Sequence, residues 1–301
     1  MSNESAGWKN AVIQSFAGGS AGFIEVALMH PLDLVKTRMQ LQKGPIKKND
    51  PNYYTGILDC FQKLQKQEGT LAFWKGLLPP LIVETPTKSI RFTAFHHYKK
   101  IFSRGKEPNL LTFMMSGYWA GITESFVICP FDVVKVTQQS NRGHISHTPS
   151  SWKMAGMIIQ EGGILGKRGI YRGLGATLYL HSVFCAVYLG VFYSARSHIH
   201  QTGNRLADTF ATLALGVATG SFACLFNTPF DVVKSRIQAP QPKKVKYSNT
   251  WQSIFAIVKE EGLPALYKGL SAKVLRLGPG GAIMIIVFES IQDVLTRILL
   301  K

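Results

Sequence analysis

Three short strings in this chain each join a proline to an acid and a base at fixed spacing. In each string an Asp follows the proline by two residues, a Lys follows the Asp by three, and a Gln lies four residues beyond the Lys. The strings begin at Pro31, Pro130 and Pro229 and so recur every 99 residues. A long fixed period indicates like units that must assemble to bury a common core.

The acids and bases of these strings could close a cavity. Asp and Lys three residues apart project from one helix face, and the proline favours a bend. Three bent helices around a common axis would let each acid meet the base of a neighbour, since six unpaired buried charges would be prohibitive. The alternative is a weak Asp–Lys pair within each helix. The predicted gate residues are Asp33, Lys36, Asp132, Lys135, Asp231 and Lys234, braced by Gln40, Gln139 and Gln238.

Other basic residues are not shared by the three strings, and these could bind an anion. A desolvated dicarboxylate needs charge-assisted hydrogen bonds, which Arg donates in bidentate form and Lys as a point charge. The predicted binding residues are Thr87, Lys88, Arg91, His181 and Arg276. The alternatives are that Lys88 or Arg91 snorkels or pairs with Glu84, and that His181 is a helix contact. Glu25 and Glu124 either partner these cations or tune the cavity.

Composition indicates helices with one apolar and one polar side. The chain is 46% apolar but only 17% charged, against about 25% charged in a typical soluble domain. Residues 110–131, 174–195 and 211–230 carry almost no charge and are long enough to cross a ~30 Å hydrocarbon layer. Repeat symmetry adds spans at 16–34, 76–95 and 271–291, in which charges mask the pattern. The sequence therefore predicts an all-α membrane protein with six transmembrane helices.

Each unit has further shared features. We expect repeats at 1–105, 106–205 and 206–301, each with a short amphipathic helix in its middle, at 57–64, 152–159 and 251–258. An aromatic-basic-glycine triplet follows each short helix: Trp74-Lys75-Gly76, Tyr171-Arg172-Gly173 and Tyr267-Lys268-Gly269. A ladder of small residues precedes each proline and allows close helix approach in lipid, either as a plain contact face or as a sliding surface.

Charge and cysteine usage exclude several classes. The net charge is +17, and the basic residues are dispersed over the three long connections between helices. This distribution favours an orientation signal for membrane insertion over nucleic-acid binding. The four cysteines lack the spacing of a disulfide framework or a zinc site. The sequence contains no recognisable nucleophile–base arrangement, metal-ligand spacing or phosphate-binding glycine loop. We therefore expect that the protein is not an enzyme and that it binds no metal or cofactor. Residues 1–12 lack the pattern of a secretory signal, and we expect any targeting information to be internal.

The proline-acid-base strings, the glycine ladders and the triplets resemble the mitochondrial carrier family across nearly the whole chain. The resemblance implies six transmembrane helices in a three-fold pseudosymmetric barrel, with three short matrix helices, in the mitochondrial inner membrane. It also implies alternating access and termini toward the intermembrane space. A cavity enclosed by six helices of one chain favours a functional monomer. The implied gate pairs are Asp33 with Lys135, Asp132 with Lys234, and Asp231 with Lys36.

The resemblance implies two further sites. The family's cytoplasmic gate is eroded here and leaves Lys99 and Glu289 as its one clear ion pair. Cardiolipin is expected at the triplets, because helix N-termini attract phosphate. The implied lipid-binding residues are Lys75, Gly76, Arg172, Gly173, Lys268 and Gly269.

Within the family, the chain resembles the branch that carries 2-oxodicarboxylates. The resemblance rests on residues 18–40, 78–86, 238–242 and 275–282, and it implies exchange of 2-oxoadipate against 2-oxoglutarate in lysine and tryptophan catabolism. That branch commonly has Arg before the histidine of the fourth span, where this chain has Leu180. The alternatives are a carrier of another di- or tricarboxylate, such as malate or citrate, and a proton-leak member.

Overall fold

The computed structural model describes residues 2–44, 53–196, 205–242 and 245–299, and the secondary structure of these residues is helical, without a strand. Six helices are long and three are short. The long helices are α1 (Ser2–Leu41), α3 (Leu78–Ser103), α4 (Leu110–Ser140), α6 (Leu174–Arg196), α7 (Arg205–Gln238) and α9 (Leu270–Leu299). The short helices are α2 (Ile57–Glu68), α5 (Ser151–Gly162) and α8 (Thr250–Glu261).

The long helices contact one another in cyclic order. α1 packs on α3, α3 on α4, α4 on α6, α6 on α7, α7 on α9, and α9 returns to α1. The helices that carry the three repeated strings, α1, α4 and α7, also contact each other, and we call them the proline helices. Their C-terminal halves meet at the end of the bundle that carries α2, α5 and α8, which we call the short-helix end.

The short helices form where the apolar spacing predicts them. α2 buries Cys60 and Leu64, α5 buries Met154 and Ile158, and α8 buries Ile257. Capping fixes where α5 and α8 begin: the Ser150 side chain accepts from the Lys153 amide, and a capping box opens α8. Such caps satisfy amide groups that the first helical turn leaves without partners.

The helices continue through Pro31, Pro130 and Pro229. Because proline has no N–H, the carbonyl four residues earlier loses its helical partner. Trp74 Nε1 donates to the Ala27 carbonyl at 3.1 Å, and the Tyr171 hydroxyl donates to the Phe126 carbonyl at 3.2 Å. The aromatic residue of the triplet thus satisfies the carbonyl that the proline leaves free in the first two repeats.

Large apolar side chains are exposed along the outside of the long helices. They include Phe23 and Leu28 on α1, Leu111 and Phe126 on α4, and Phe226 on α7. Exposed apolar surface on this scale marks contact with lipid or protein.

Three helical segments in the described residues are long and apolar enough to cross a membrane: 174–196, 207–238 and 263–297. The predicted spans at 16–34, 76–95 and 110–131 are less apolar than these segments, because they carry polar or charged side chains. They coincide with parts of α1, α3 and α4, although α3 begins only at Leu78.

Glycines set two kinds of close contact. A Cβ at Gly121 would lie 2.5 Å from the His181 carbonyl oxygen, so α4 and α6 pack backbone against backbone, as the small-residue ladder predicts. The equivalent Gly22 has no neighbour nearer than 3.9 Å. Gly76, Gly173 and Gly269 all have positive φ, which glycine adopts without strain. Each lies against the C-terminal turns of the proline helix in the next repeat.

Candidate functional site

Three ion pairs join the proline helices at the short-helix end. Lys135 Nζ lies 2.8 Å from Asp33, Lys234 Nζ 2.5 Å from Asp132, and Lys36 Nζ 2.6 Å from Asp231. Each pair connects one repeat to the next, and these are the three partnerships that the family resemblance implies. Three largely buried inter-helix pairs at one level close this end of the bundle.

Two residues of α9 add to this ring, and the sequence interpretation did not assign them there. Lys273 Nζ lies 2.9 Å from Asp231 and also donates to Asn227 at 2.7 Å. Arg276 Nη1 lies 3.1 Å from Asp33. Only the third repeat supplies such cations, so the repeat pattern gave no sign of them.

The three glutamines lie beyond the ion pairs and make different bonds. Gln139 Oε1 accepts from the Thr37 hydroxyl at 2.7 Å, and Gln40 Oε1 accepts from the Ser235 hydroxyl at 2.7 Å. The equivalent hydroxyl position in the second repeat is Val136. Gln238 instead donates to Thr177 at 3.3 Å. The glutamines therefore link helices to one another and do not contact the Asp–Lys pairs directly.

A cavity of about 280 Å³ lies between the long helices, and the ion-pair ring lines one end of it. Arg91, His181 and Arg276 of the predicted binding set also line this cavity. It is therefore a space in which two guanidinium groups and an imidazole converge.

Arg91 does not lie free in the cavity. It donates to Glu124 in bidentate form, with Nε–Oε2 at 2.6 Å and Nη2–Oε1 at 2.5 Å. His181 Nδ1 lies 3.6 Å from the same carboxylate. Glu124 is fully buried, and a buried carboxylate requires such a partner.

Arg276 also has an internal carboxylate partner. Its Nη2 lies 3.1 Å from Glu25 Oε1. Glu25 and Glu124 occupy equivalent positions in the first two repeats, and Ala223 occupies that position in the third. Of the two roles left open for these glutamates, the structure shows the first: each partners a cavity cation.

Two predicted binding residues are placed differently. The Thr87 hydroxyl donates to the Val83 carbonyl of its own helix at 2.8 Å and is buried, so its contact with an anion stays a prediction. Lys88 pairs with Glu84 at 2.7 Å, one helical turn away, which is the alternative that the sequence left open. Neither residue lines the cavity.

Lys99 and Glu289 lie toward the other end of the long helices. Among the described residues no ion pair joins them, and α3 and α9, which carry them, are not packed on one another. The predicted cytoplasmic pair is therefore absent from this conformation. The physical reason is that the ion-pair ring closes the bundle at the short-helix end, whereas α3 and α9 are not packed together at the opposite end.

The basic residues of the triplets point inward. Lys75 donates to the carbonyls of Asn141 and Gly143, and Lys268 to that of Gln42 at 3.0 Å. Arg172 donates to the Gln238 carbonyl at 2.9 Å. Each cation thus satisfies carbonyls where the proline helix of the next repeat ends. In this conformation the side chains of Lys75, Arg172 and Lys268 contact protein carbonyls. The lipid-binding role of these residues, and of Gly76, Gly173 and Gly269, stays a prediction.

Two of these cations belong to buried charge clusters. Glu68 contacts both Arg38 (2.8 Å) and Lys75, and Glu261 contacts both Arg236 (2.5 Å) and Lys268 (2.9 Å). We call the first set the Glu68 cluster and the second the Glu261 cluster. Burial alone would raise the pKa of Glu261, but hydrogen bonds from Arg236 and Lys268 hold that pKa below its ordinary value.

Comparison with known proteins agrees with this geometry. The family model for mitochondrial carrier protein matches residues 7–106, 106–203 and 207–299. This chain belongs to the mitochondrial carrier family. The three matches cover nearly the whole chain. Because mitochondrial carriers are transporters, the chain is a transport protein.

Individual carriers are similar along almost their full length. The mitochondrial 2-oxodicarboxylate carrier of Homo sapiens is 42% identical over 283 residues, covering 93% of each chain. The mitochondrial 2-oxodicarboxylate carrier 1 of Saccharomyces cerevisiae is 37% identical over 294 residues, covering 94% of this chain and 93% of the yeast protein. The mitochondrial citrate transporter D of Aspergillus niger is 38% identical over 292 residues, covering 93% of each.

Proposed function

We propose that this carrier exchanges 2-oxodicarboxylates, 2-oxoadipate against 2-oxoglutarate, across the mitochondrial inner membrane by alternating access. The observation that carries the proposal is the pair of guanidinium groups in the cavity, Arg91 and Arg276, each already holding a carboxylate. Two such poles suit a substrate with a carboxylate at each end. The names of the human and yeast relatives support the same substrate class.

Substrate binding adds to the internal ion pairs. One substrate carboxylate shares the guanidinium of Arg91 with Glu124, and the other shares that of Arg276 with Glu25, so that neither buried glutamate loses its cation. The empty carrier then never leaves a guanidinium unpaired in a low-dielectric site, which would be costly. Release of Asp33 by Arg276 also weakens the ion-pair ring, so substrate occupancy is linked to opening at the short-helix end.

The same scheme assigns the membrane arrangement. The six long helices cross the membrane as a three-fold pseudosymmetric barrel, with α2, α5 and α8 on the matrix side and the termini toward the intermembrane space. When the carrier opens to the matrix, Lys99 and Glu289 approach and close the cytoplasmic side. A cavity enclosed by one chain favours a functional monomer, and cardiolipin phosphates bind backbone amides at Gly76, Gly173 and Gly269.

The test is exchange by the purified protein in liposomes. Uptake of labelled 2-oxoglutarate is measured against internal 2-oxoadipate, malate, citrate, phosphate or ADP. We expect rapid exchange with 2-oxoadipate, loss of exchange in Arg91→Gln, and normal exchange in Lys259→Gln, whose side chain is exposed on α8. Failure to exchange 2-oxoadipate in the wild-type protein would refute the substrate assignment.

A tricarboxylate is the second candidate, because the Aspergillus niger relative is named a citrate transporter. Lys273 lines the same cavity as Arg91 and Arg276 and offers a third positive charge. Preference for internal citrate over 2-oxoadipate would select this alternative. Lys273→Gln would then reduce citrate exchange more than 2-oxodicarboxylate exchange.

A further inference from the structure

A second cavity, of about 180 Å³, lies where the three proline helices end, beyond the ion-pair ring. Its charged lining residues are Arg38 and Lys43 from the end of the first repeat's helix, Arg142 after α4, and Arg236 on α7. Among the described residues that line it, none is acidic. Since about 10–15 Å³ of such volume accommodates one water molecule, the cavity has room for a small anion.

We propose that this cavity is a second oxyanion site, which takes a small doubly charged anion such as a dicarboxylate or phosphate. The binding chemistry is independent of transport. A second role rests on the proposed function: substrate would bind here first when it approaches the ion-pair ring from the short-helix end. We call this the antechamber role.

Unused hydrogen-bond donors support the assignment. Arg38 is only 2% exposed, yet its Nε and Nη1 have no hydrogen-bond partner within the described part of the chain. Its Nη2 alone contacts Glu68 and the Asn141 carbonyl. Buried donors without acceptors are rare and costly, and an oxyanion in this cavity would supply acceptors.

The charge balance points the same way. Glu68 and Glu261 partner Arg38 and Arg236. Lys43 and Arg142 bring two further positive charges to the lining of the cavity. Burial, together with Arg236 and Lys246 nearby, lowers the pKa of Lys43 below its ordinary value, as expected for a lysine in a positive environment.

Three helix C-termini meet here, and their dipoles alone would repel an anion. That repulsion is offset because Lys75, Arg172 and Lys268 already occupy carbonyls at these ends. Arg236 further donates to the carbonyls of Gln40 and Gln42. The surface left facing the cavity is therefore cationic.

Equilibrium titration of the full-length carrier in detergent tests the proposal. The probes are 2-oxoglutarate and inorganic phosphate, and the background is Arg91→Gln, which removes the central site. Lys43 is the informative position, because among the described residues its ammonium group makes a cation–π contact with the Tyr247 ring, 5.3 Å from the ring centroid, and no ion pair. Lys66→Gln, an exposed lysine on α2, is the matched control.

We expect saturable binding in Arg91→Gln, about tenfold weaker binding when Lys43→Gln is added, as for one lost charge-assisted contact, and no change with Lys66→Gln. Preference for 2-oxoglutarate assigns the site to substrate, and preference for phosphate assigns it to a phosphate group. Equal binding by the Lys43 and Lys66 variants, or no binding to Arg91→Gln, overturns the proposal.

A transport measurement separates this site from the central one. In otherwise wild-type carrier, Lys43→Gln should raise KM severalfold for 2-oxoglutarate supplied at the short-helix face and leave KM unchanged at the opposite face. An unchanged KM at both faces contradicts the antechamber role. Absence of any exchange by wild-type protein would instead count against the proposed function, without affecting the binding titration.

Discussion

The second repeat is held together differently from the first and third. The first and third repeats bury the Glu68 and Glu261 clusters at the short-helix end. In the second repeat Thr137 occupies the position of Arg38 and Arg236, and the Glu161 carboxylate is 63% exposed and contacts Arg168 at the surface. The second repeat instead packs α4 on α6, backbone against backbone.

The difference separates two ways of joining helices. An ion-pair cluster depends on a few directed contacts, whereas a glycine-mediated interface depends on continuous packing that cannot part without leaving a void. We therefore expect the second repeat to behave as the rigid unit during transport, and the first and third to rearrange.

The largest test removes a buried charge. Glu261→Gln leaves Arg236 and Lys268 without their carboxylate, and breaking such a buried pair costs about 3–5 kcal/mol. Glu161→Gln, at the corresponding acid of the second repeat, breaks an exposed pair worth at most about 1 kcal/mol. Thermal unfolding in detergent should show a large drop for the first variant only. Equal drops would remove the distinction between the repeats.

The next test inverts the comparison. Gly121→Ala places a Cβ 2.5 Å from the His181 carbonyl oxygen, whereas Gly22→Ala meets nothing nearer than 3.9 Å. Overpacking costs typically about 1–3 kcal/mol, so Gly121→Ala should lower the unfolding temperature clearly and Gly22→Ala should not. A larger effect at Gly22 would contradict the tight α4–α6 interface.

A smaller test concerns the carbonyls freed by proline. Tyr171→Phe removes the hydroxyl that donates to the Phe126 carbonyl and should cost about 1 kcal/mol. The Tyr267 hydroxyl makes no hydrogen bond among the described residues, so Tyr267→Phe is the matched control and should be silent. The same unfolding measurement distinguishes them, and indistinguishable variants would show that the Tyr171 bond adds nothing.

The smallest test uses pH. Because the pKa of Glu261 is lowered in the folded protein, its cluster contributes stability above the ordinary pKa of 4.5 and loses it as pH falls below that value. The difference in unfolding temperature between wild type and Glu261→Gln should therefore be constant near neutrality and shrink below about pH 4.5. A difference that grows on acidification would reverse the assigned sign.

Repetition explains which parts of this molecule were predictable. Three equivalent strings predict that Asp33, Asp132 and Asp231 each pair with a base of a neighbouring helix. The choice of partner was implied by the family resemblance. The short helices follow from local apolar spacing, which α2, α5 and α8 confirm. The repeated string and the apolar spacing of the short helix both occur in every repeat, so each copy supports the prediction made from the other two.

The contacts that were missed are made by residues without equivalents. Arg276 reaches Asp33, and Lys273 reaches Asp231, from a helix whose counterparts carry other residues at those positions. Burial of Lys75 was also missed, because an aromatic-basic-glycine triplet does not reveal which way its base points. The seven-residue spacing of Glu68 to Lys75, repeated from Glu261 to Lys268, was a usable signal.

The cyclic partnership of the repeats has a consequence for biosynthesis. Asp33 pairs with Lys135 of the second repeat and Asp132 with Lys234 of the third, whereas Asp231 pairs with Lys36, the first of the three lysines in the ring. Because the chain is synthesised from its N-terminus, the ring of ion pairs stays incomplete until the third repeat is present. A nascent chain halted after its second repeat would hold one complete pair and an acid and a base still awaiting partners.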